Sequence, residues 1–529
     1  MIDRARLATA LLALMASSSA AAHAQHSGPP LSIGYRVAMS DPSSHLYDVS
    51  IDIDGVRAAT LPLQLPIWSP GRYARVDFAK NVQGLRALDV AGRALAWDKT
   101  DGSRWVVRTG GARHVRISYR VFANQLSGTY SVLDTLHANW NGAGLFMYVE
   151  RHKPDPVTLD IVTPQRWLVI NGDTRSAGQA SYRFPNYDQL IDTPTEIAPA
   201  LLVDSFTVDA RKYRTVVHHN GAAPTDARQR FVRDVEKLVR YENSVFPPPP
   251  LDQYTFLFHV GFPGGDGMEH LYSTQVIDRR QWADSFTVLP GIGTAAHEYF
   301  HVWNVKRVRP AALGPFDYTR EAFQPSLWVA EGWTQYYGQV ALHRAGITDE
   351  PQMYRAMAAL IAENLTAPGR TEVSARMASF HAPFWDGGAQ QQPTNVAKSF
   401  ISYYTKGAGL ALYLDLFLRA GSGNARSLDD AFNALRRRTF DAPSASYYLR
   451  GRGYTELDVE RAVSEVAGEN MHAWFERHVG GTEDLDYDAL LARAGLRLVR
   501  AEPWRIEELP DATPAQRAIR AGWLSGKRG

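Results

Sequence analysis

The sequence predicts a multidomain α+β protein, in which a β-sandwich-like part precedes a mixed central part and a mainly helical part. Three observations predict this fold class. The chain has 529 residues, more than a single hydrophobic core usually organises. Apolar side chains alternate with period two up to about residue 208, and they follow helical spacing through most of the remainder. The hydrophobic content of 45% and the aromatic content of 11% are typical of well-packed domains.

The first 24 residues predict a secretory signal peptide. Arg4 and Arg6 precede an apolar run over residues 7–16, and small residues follow it up to Ala24, after which cleavage is expected. The alternative is a membrane anchor, but the apolar run is about half of the length that spans a bilayer. We therefore expect a periplasmic or secreted protein without a stable membrane anchor.

Charge and cysteine content narrow the classes of partner and site. A formal net charge of +2 gives no electrostatic drive toward nucleic acid or an anionic membrane, so neither is predicted as a partner. The chain contains no cysteine, which excludes disulfide bonds and cysteine ligands for a metal. No oligomeric state is predicted.

Residues 25–208 predict the N-terminal β domain. The segment 46–54 alternates apolar and polar side chains before a turn-forming Asp-Gly pair, and the segment 114–122 has the same period. These patterns are typical of half-buried strands. No catalytic residue is expected in this domain, because its histidines are scattered along the chain: His45, His114, His137 and His152.

Residues 209–350 contain the motif that indicates chemistry, HEYFH. His297 and His301 are four residues apart and would project from one face of a helix, where two imidazoles can share a metal ion. Glu298 can then act as general base toward a metal-bound water. Thirty residues after His301, Glu331 is the single acid in an apolar helical stretch, which favours a third metal ligand over an ordinary helix-end carboxylate. The motif alone can arise by chance, but this context predicts one zinc ion.

Two further stretches could handle a substrate. Gly265 and Gly267 would let a ligand approach the backbone, and Glu269 follows them. The residues alone favour a surface carboxylate for Glu269. Tyr404 precedes a glycine-bounded helix and could donate a hydrogen bond to the oxyanion that forms when water attacks a carbonyl, although its surroundings in the sequence favour core packing.

Residues 351–492 carry apolar stripes of helical period and predict a helical domain that completes the site. Several segments then resemble the glycyl aminopeptidase family of gluzincin zinc metallopeptidases: PIWSPGRYARVDFAKNV, GGDGMEH, HEYFHVWNVKRVRP, LWVAEGWTQYY and YYTKG. The resemblance implies a thermolysin-like zinc peptidase domain over residues 209–350. It also implies that residues 493–529 are a partial PDZ-like remnant, since too few residues remain for a complete PDZ domain.

The resemblance implies a role for each site residue. It implies that the zinc ligands are His297, His301 and Glu331, and that Glu298 is the general base. Glu269 matches the glutamate that binds a substrate's free α-amine, and Tyr404 matches the transition-state tyrosine, so the resemblance reverses both interpretations given above. His270 stands where the wider clan has asparagine.

We therefore expect a zinc-dependent aminopeptidase that acts on peptides. It would hydrolyse N-terminal residues, small glycyl or alanyl ones if the family preference holds, by means of a zinc-bound water activated by Glu298. Glu269, Gly265 and Gly267 are expected to bind the substrate. Two alternatives remain open: a zinc endopeptidase with the same site, and a non-catalytic binding or scaffold protein that retains the metal.

Overall fold

The computed structural model describes residues 29–164, 166–173, 180–284, 286–385, 395–444 and 446–526. The predicted signal peptide lies outside these residues. No helix within the described ranges combines the length and the apolar character that a bilayer crossing needs.

Strands and helices are numbered here in chain order. The strands are β1 Ser32–Ala38, β2 Leu46–Asp54, β3 Thr60–Gln64, β4 Val82–Asp89, β5 Trp97–Lys99, β6 Arg104–Arg108, β7 His114–Phe122, β8 Val132–Leu133, β9 Ala138–Trp140, β10 Tyr148–Val149, β11 Val157–Val162, β12 Leu168–Asn171, β13 Ser181–Phe184, β14 Thr195–Ala198, β15 Leu202–Val208, β16 Arg211–His219, β17 Gln253–Val260, β18 Gly265–Glu269, β19 Ser273–Asp278, β20 Leu496–Val499 and β21 Arg505–Glu508.

The helices follow the same convention. They are α1 Tyr187–Ile191, α2 Thr225–Val245, α3 Ile292–Phe300, a π-helix Trp328–Trp333, α4 Thr334–Arg344, α5 Glu350–Thr366, α6 Ala375–Phe380, α7 Ala382–Trp385, α8 Val396–Ser399, α9 Tyr403–Ser422, α10 Leu428–Thr439, α11 Glu456–Ala467, α12 His472–Phe475, a second π-helix Glu476–Gly480, α13 Tyr487–Ala492 and α14 Pro514–Ser525.

The N-terminal part of the chain forms β-sheets around an apolar core. One sheet has the order β13-β11-β1-β2-β7-β4, a second has the order β10-β3-β6-β5, and a third has the order β12-β14-β9-β8. Strands β2 and β7 are antiparallel neighbours, and each buries every second side chain as its sequence predicts. The architecture is the α+β class that the sequence predicts, with the helices concentrated after residue 290.

A five-stranded sheet of order β15-β16-β17-β19-β18 supports the site. Its central strand β17 is the apolar segment YTFLFHV, which is buried throughout. Strand β18 lies at the edge, antiparallel to β19, and ends at Glu269. Strand β15 ends at Val208, inside the predicted N-terminal domain, but it pairs with β16, so this sheet begins at Leu202, before the predicted domain boundary.

Two glycines let the first π-helix and α9 pack backbone to backbone. A Cβ atom at Gly332 would lie 2.4 Å from the Cα atom of Gly407, and a Cβ atom at Gly407 would lie 2.1 Å from the carbonyl oxygen of Trp328. Only glycine permits so close an approach. The contact places the start of α9 beside Glu331.

The described part of the segment after residue 492 forms the β20–β21 hairpin and α14, and it is docked on the helical part. Trp523 of α14 is fully buried, and its indole nitrogen donates a hydrogen bond to the hydroxyl of Tyr336 at 3.0 Å. Arg344 donates to the carbonyl oxygen of Trp523 at 2.7 Å, and Arg419 donates to that of Gly522 at 3.1 Å. The segment predicted as a PDZ-like remnant is therefore packed into the helical core.

Substitution of Gly407 by alanine tests the backbone contact. We expect Gly407→Ala to lower the free energy of unfolding by about 1–3 kcal/mol, because the new methyl group overpacks a site with no space. Urea denaturation measures this free energy. The control is Gly421→Ala in the same helix, where a Cβ atom would meet no atom within 4 Å and the change should be neutral or stabilising. Equal stability of the two variants would contradict the contact.

Candidate active site

Helix α3 brings the ring nitrogens of two histidines together. His297 lies in α3 and His301 follows its last residue, and their Nε2 atoms are 3.0 Å apart. The Nδ1 atom of His301 lies 2.5 Å from the main-chain carbonyl oxygen of Asn304. Nδ1 therefore donates a proton to this carbonyl, which leaves Nε2 as the nitrogen that can give up its proton and bind a metal ion.

Glu331 lies on the first π-helix and completes a triangle with the two imidazoles. Its Oε2 atom lies 3.2 Å from the Nε2 atom of each histidine. Atoms spaced in this way surround a centre that is roughly 1.8 Å from each of them, close to the ~2.0–2.1 Å of Zn–N bonds. Two imidazoles and one carboxylate also form a donor set that leaves a fourth position for water or substrate. The three side chains therefore fit a catalytic metal ion.

The electrostatics of this centre favour a cation. Burial opposes the charged form of His301, yet the carboxylates of Glu331 and Glu269 raise the pKa of this histidine to about 10. Burial also opposes ionisation of Glu331, but His301 and His297 hold the pKa of its carboxyl well below the usual range. The centre thus attracts positive charge, which a divalent metal ion supplies.

A tyrosine from the N-terminal part of the chain contacts the same carboxylate. The hydroxyl of Tyr73 donates a hydrogen bond to Oε1 of Glu331. Burial, together with the negative charge of Glu331, raises the pKa of Tyr73 well above its usual value, so the hydroxyl remains protonated. Tyr73 thereby holds Glu331 with Oε2 toward the histidines.

Asn304 connects the two histidines to the helix that bears Glu331. Its main-chain carbonyl accepts the proton of His301, and its side-chain amide donates to the carbonyl oxygens of Val329 at 2.8 Å and Ala330 at 3.1 Å. The same amide donates to the hydroxyl of Thr334 at 3.0 Å. Asn304 is fully buried, so these bonds are shielded from water.

Glu298 faces the edge strand β18. A Cβ atom at Gly267 would lie 2.0 Å from Oε1 of Glu298, so only glycine fits at this position. Burial raises the pKa of Glu298 well above its usual range, and the nearby carboxylates add to that effect against the charge of His301. A Cβ atom at Gly265 would meet no atom within 4 Å, so the packing does not require glycine there.

Glu269 is buried at the end of β18, with 3% of its surface exposed. Ligand atoms of Glu269, Glu298 and His301 all lie within 4.8 Å of one another. The carboxylate is therefore part of the same centre as the predicted metal ligands. The interpretation of Glu269 as a surface carboxylate, which the local sequence alone favours, is wrong. Among the described residues, the Oε1 atom of Glu269 has no hydrogen-bond partner.

His270 points away from the centre and contacts Asp192. Its Nδ1 atom lies 3.0 Å from Oδ1 of Asp192, which also accepts from Nζ of Lys306 at 2.9 Å. The second carboxylate oxygen accepts from the amide of Leu271 at 3.0 Å and from the hydroxyl of Tyr448 at 2.9 Å. Burial opposes ionisation of Asp192, but Lys306 and His270 lower its pKa to about 2. His270, which stands where the wider clan has asparagine, thus anchors the end of β18.

Tyr404 reaches the centre from the first turn of α9. Its backbone amide donates to the Ser402 hydroxyl, which caps the helix, at 3.2 Å. The Tyr404 ring lies 6.0 Å from the His297 ring and 4.8 Å from the Tyr403 ring, measured between centroids. The structure therefore brings the three predicted metal ligands into one site with Glu298, Glu269 and Tyr404. Gly267 lies against Glu298. The roles assigned to these residues stay predictions.

Family models match most of the segments that form this site. A model described as the Peptidase M61 N-terminal domain matches residues 34–199, and a model described as M61 glycyl aminopeptidase matches residues 291–410. The chain belongs to the M61 glycyl aminopeptidase family. The resemblance found in the sequence is thus confirmed.

Solved structures support the fold of this M61 peptidase. It is similar to an aminopeptidase N family protein from Idiomarina loihiensis, with 28% sequence identity and a TM-score of 0.79 over 88% of this chain and 79% of that chain. It is also similar to yeast LTA4 hydrolase in complex with bestatin, with 15% identity and a TM-score of 0.50 over 88% and 70% of the two chains, a likeness that shows the fold alone. The comparison with curated proteins returns no significant match.

The family and the similar aminopeptidase N family protein together show that the protein is a metallopeptidase, and they support a zinc aminopeptidase in the broad sense. The fold-class prediction is confirmed with them. A purely non-catalytic scaffold does not agree with this result.

Sequence reasoning did not identify three residues of the site, Tyr73, Asn304 and Asp192. Tyr73 and Asn304 lie within segments that carry the family resemblance, PIWSPGRYARVDFAKNV and HEYFHVWNVKRVRP, so a signal for both was present. Asp192 lies in no such segment, and only the packing of the chain shows that it contacts His270.

Replacement of Asn304 tests its role in positioning the ligands. Asn304→Ala removes the bonds to the π-helix and should weaken zinc binding by about 10–100-fold, as loss of an outer-shell partner commonly does. Competition with a zinc chelator measures the affinity. The matched control is Asn364→Ala, because the amide of this buried residue likewise donates to two main-chain carbonyls but contacts no predicted ligand. Equal zinc affinity in the two variants would show that Asn304 does not position the site.

Proposed function

We propose that this M61 peptidase is a zinc-dependent aminopeptidase that removes small N-terminal residues, glycyl or alanyl, from peptides. The observation that carries the proposal is the position of Glu269, a buried carboxylate within 4.8 Å of ligand atoms of Glu298 and His301. A buried carboxylate calls for a compensating positive charge. The α-ammonium group of a peptide would supply it, and the first peptide bond would then lie beside the metal centre.

The edge position of β18 supports binding of a peptide main chain. Edge strands present unpaired N–H and C=O groups, to which an extended peptide can add as a further strand. Gly265 and Gly267 lie on this strand, and Glu269 ends it. A peptide that adds antiparallel to β18 would have its N-terminus beside Glu269.

The cavity next to Glu269 supports a preference for small residues. Gly71, Tyr73, Trp68 and Glu269 contribute to its lining, and its volume is about 20 Å³. That volume holds roughly one water molecule. It would accept a hydrogen atom or a methyl group at the first residue of the substrate, whereas an aromatic side chain would require the walls to move.

The chain's own residues supply the remaining steps. His297, His301 and Glu331 would hold one zinc ion, which when bound would lower the pKa of a water molecule and polarise the scissile carbonyl. Glu298 takes a proton from the attacking water and returns it to the leaving amine. The hydroxyl of Tyr404 donates a hydrogen bond to the oxygen that becomes negative during the attack.

We further propose that the protein acts on peptides in the periplasm or after secretion. The support is the order of charged, apolar and small residues over positions 1–24, which matches a secretory signal peptide. A chain without cysteine does not depend on the redox state of its compartment.

The role of Glu298 is tested by Glu298→Gln, which keeps the shape of the side chain and removes the base. We expect the zinc content to stay unchanged and kcat to fall by roughly 10²–10⁴-fold. Elemental analysis and hydrolysis of an alanyl chromogenic substrate measure the two quantities. Turnover at the wild-type rate would exclude Glu298 as the base.

The role of Glu269 is tested by comparing peptides with free and acetylated N-termini. We expect the wild-type protein to cleave the free peptides and not the acetylated ones. Glu269→Gln should lose about 30-fold or more in kcat/KM for the free peptide, which corresponds to the ~2 kcal/mol or more of a broken buried charge pair. The control is Glu321→Gln, since Glu321 pairs with Arg75 on the surface.

The comparison of free and acetylated peptides also distinguishes an aminopeptidase from the alternative, an endopeptidase. Equal cleavage of free and acetylated peptides by the wild-type protein would indicate an endopeptidase with the same metal site. A panel with glycyl, alanyl, leucyl and phenylalanyl substrates tests the size preference. Faster cleavage of the phenylalanyl substrate would contradict the small cavity as the specificity pocket.

A further inference from the structure

Four side chains outside the active site converge on one point: His137, Glu196, His218 and His259. One ligand atom from each lies within 4.8 Å of those from the others. The Nε2 atom of His137 lies 2.7 Å from Oε1 of Glu196, and the Nε2 atom of His259 lies 2.9 Å from Oε2. The Nδ1 atom of His218 lies 3.8 Å from Oε1 of the same carboxylate.

We propose that these four residues form a second metal site, which binds a divalent transition-metal ion such as zinc in a structural role. Imidazole nitrogens are ligands that zinc and related ions prefer, and three imidazoles with one carboxylate fill a tetrahedral coordination shell. Because the protein supplies all four ligands, no position remains for a water or a substrate. Closed sites of this kind are structural.

The backbone presents the ligands from two different sheets. His218 on β16 and His259 on β17 are register partners on neighbouring parallel strands, so their side chains lie on the same face of the five-stranded sheet. Glu196 on β14 and His137, just before β9, come from the four-stranded sheet of the N-terminal part. A metal ion at this point would hold the two sheets together.

Burial and charge support a cation at this point. The side chains of His137, Glu196 and His259 are at most 4% exposed, and that of His218 is 15% exposed. Among the described residues, the ion pairs of Glu196 are all with histidines, so no lysine or arginine neutralises it. A buried carboxylate without a permanent positive partner is costly, and a divalent ion removes that cost.

Two ring nitrogens of the cluster, Nδ1 of His218 and Nδ1 of His259, are buried without a hydrogen-bond partner among the described residues, and that of His218 is the one near Glu196. The ring of Phe262 lies 4.7 Å from the ring of His218 and 6.3 Å from that of His137. Phe262 thereby covers the cluster with an apolar surface.

Polar side chains around the cluster hold Glu196 in place by hydrogen bonds. Residues outside the coordination shell of a metal commonly orient its ligands in this way. The amide of Asn139 donates to Oε2 of Glu196 at 3.0 Å, and the amide of Gln275 donates to Oδ1 of Asn139 at 3.0 Å. Gln275 lies on β19 opposite Met268, the residue before Glu269. The proposed site is therefore connected, through Asn139 and Gln275, to strand β19, which pairs with the strand that bears Glu269.

The test uses the full-length chain with the active-site ligands removed by His297→Ala and His301→Ala. This variant is dialysed against micromolar zinc, and its bound zinc is counted by elemental analysis. We expect about one zinc ion per chain, and an upward shift of Tm when zinc is added to the metal-depleted protein. Absence of bound zinc in the folded variant would overturn the proposal.

Additional substitutions in this variant assign the ligands. His218→Ala should reduce the zinc content from about one ion per chain to none and abolish the shift of Tm. Glu196→Gln has nearly the same shape as the native side chain and should give the same loss, which guards against misfolding of a single variant. Zinc that persists in both would overturn the assignment.

The matched control is His219→Ala. His219 neighbours His218 on β16, but its ring packs against Trp282 at 5.1 Å, away from the cluster. This variant should keep its zinc ion. Circular dichroism and size-exclusion chromatography confirm that each variant is folded, so that a loss of zinc reports on the ligands. Loss of zinc in His219→Ala as well would show that the effect is not specific to the cluster.

Discussion

The buried carboxylate of Glu331 is the group on which the site depends. It is 2% exposed, and a charge so deeply buried is tolerated only when several groups compensate it. His297 and His301 approach one oxygen, and Tyr73 donates to the other. These partners come from the helix α3 and from the N-terminal part of the chain, so the carboxylate can be satisfied only after distant segments have packed together.

The helical part reaches the same centre through a close backbone contact. Gly332 and Gly407 have no side chains, and this allows the π-helix and α9 to approach to a distance that a methyl group would prevent. Tyr404 lies one turn before Gly407, so its position relative to His297 follows from this contact. The first turn of α9 and the helix that bears Glu331 are thus in direct contact.

Two other buried carboxylates lie where the N-terminal part meets the five-stranded sheet and its helices. Asp192 accepts from His270 and Lys306, and Glu196 contacts His218 and His259. In both cases the carboxylate comes from the N-terminal part and is contacted by two residues of the catalytic part. Correct docking of the two parts is therefore coupled to charge compensation, because a displaced interface would leave a buried charge without a partner.

The sequence by itself determined the features that depend on near neighbours in the chain. The alternation of β2 and β7, the spacing of His297 and His301 on one helix face, and the lone acid Glu331 in an apolar segment were all readable without coordinates. The family resemblance added a role for Glu269, although its own neighbours favoured the surface.

Only the tertiary structure decided which distant residues meet. Tyr73 and Glu331 are 258 positions apart, and His137 joins histidines from two other strands although it looks isolated in the sequence. Periodicity reports which face of a strand or helix is buried, but it does not report what packs against that face. The partners of the buried carboxylates were therefore set by the packing of the sheets and helices.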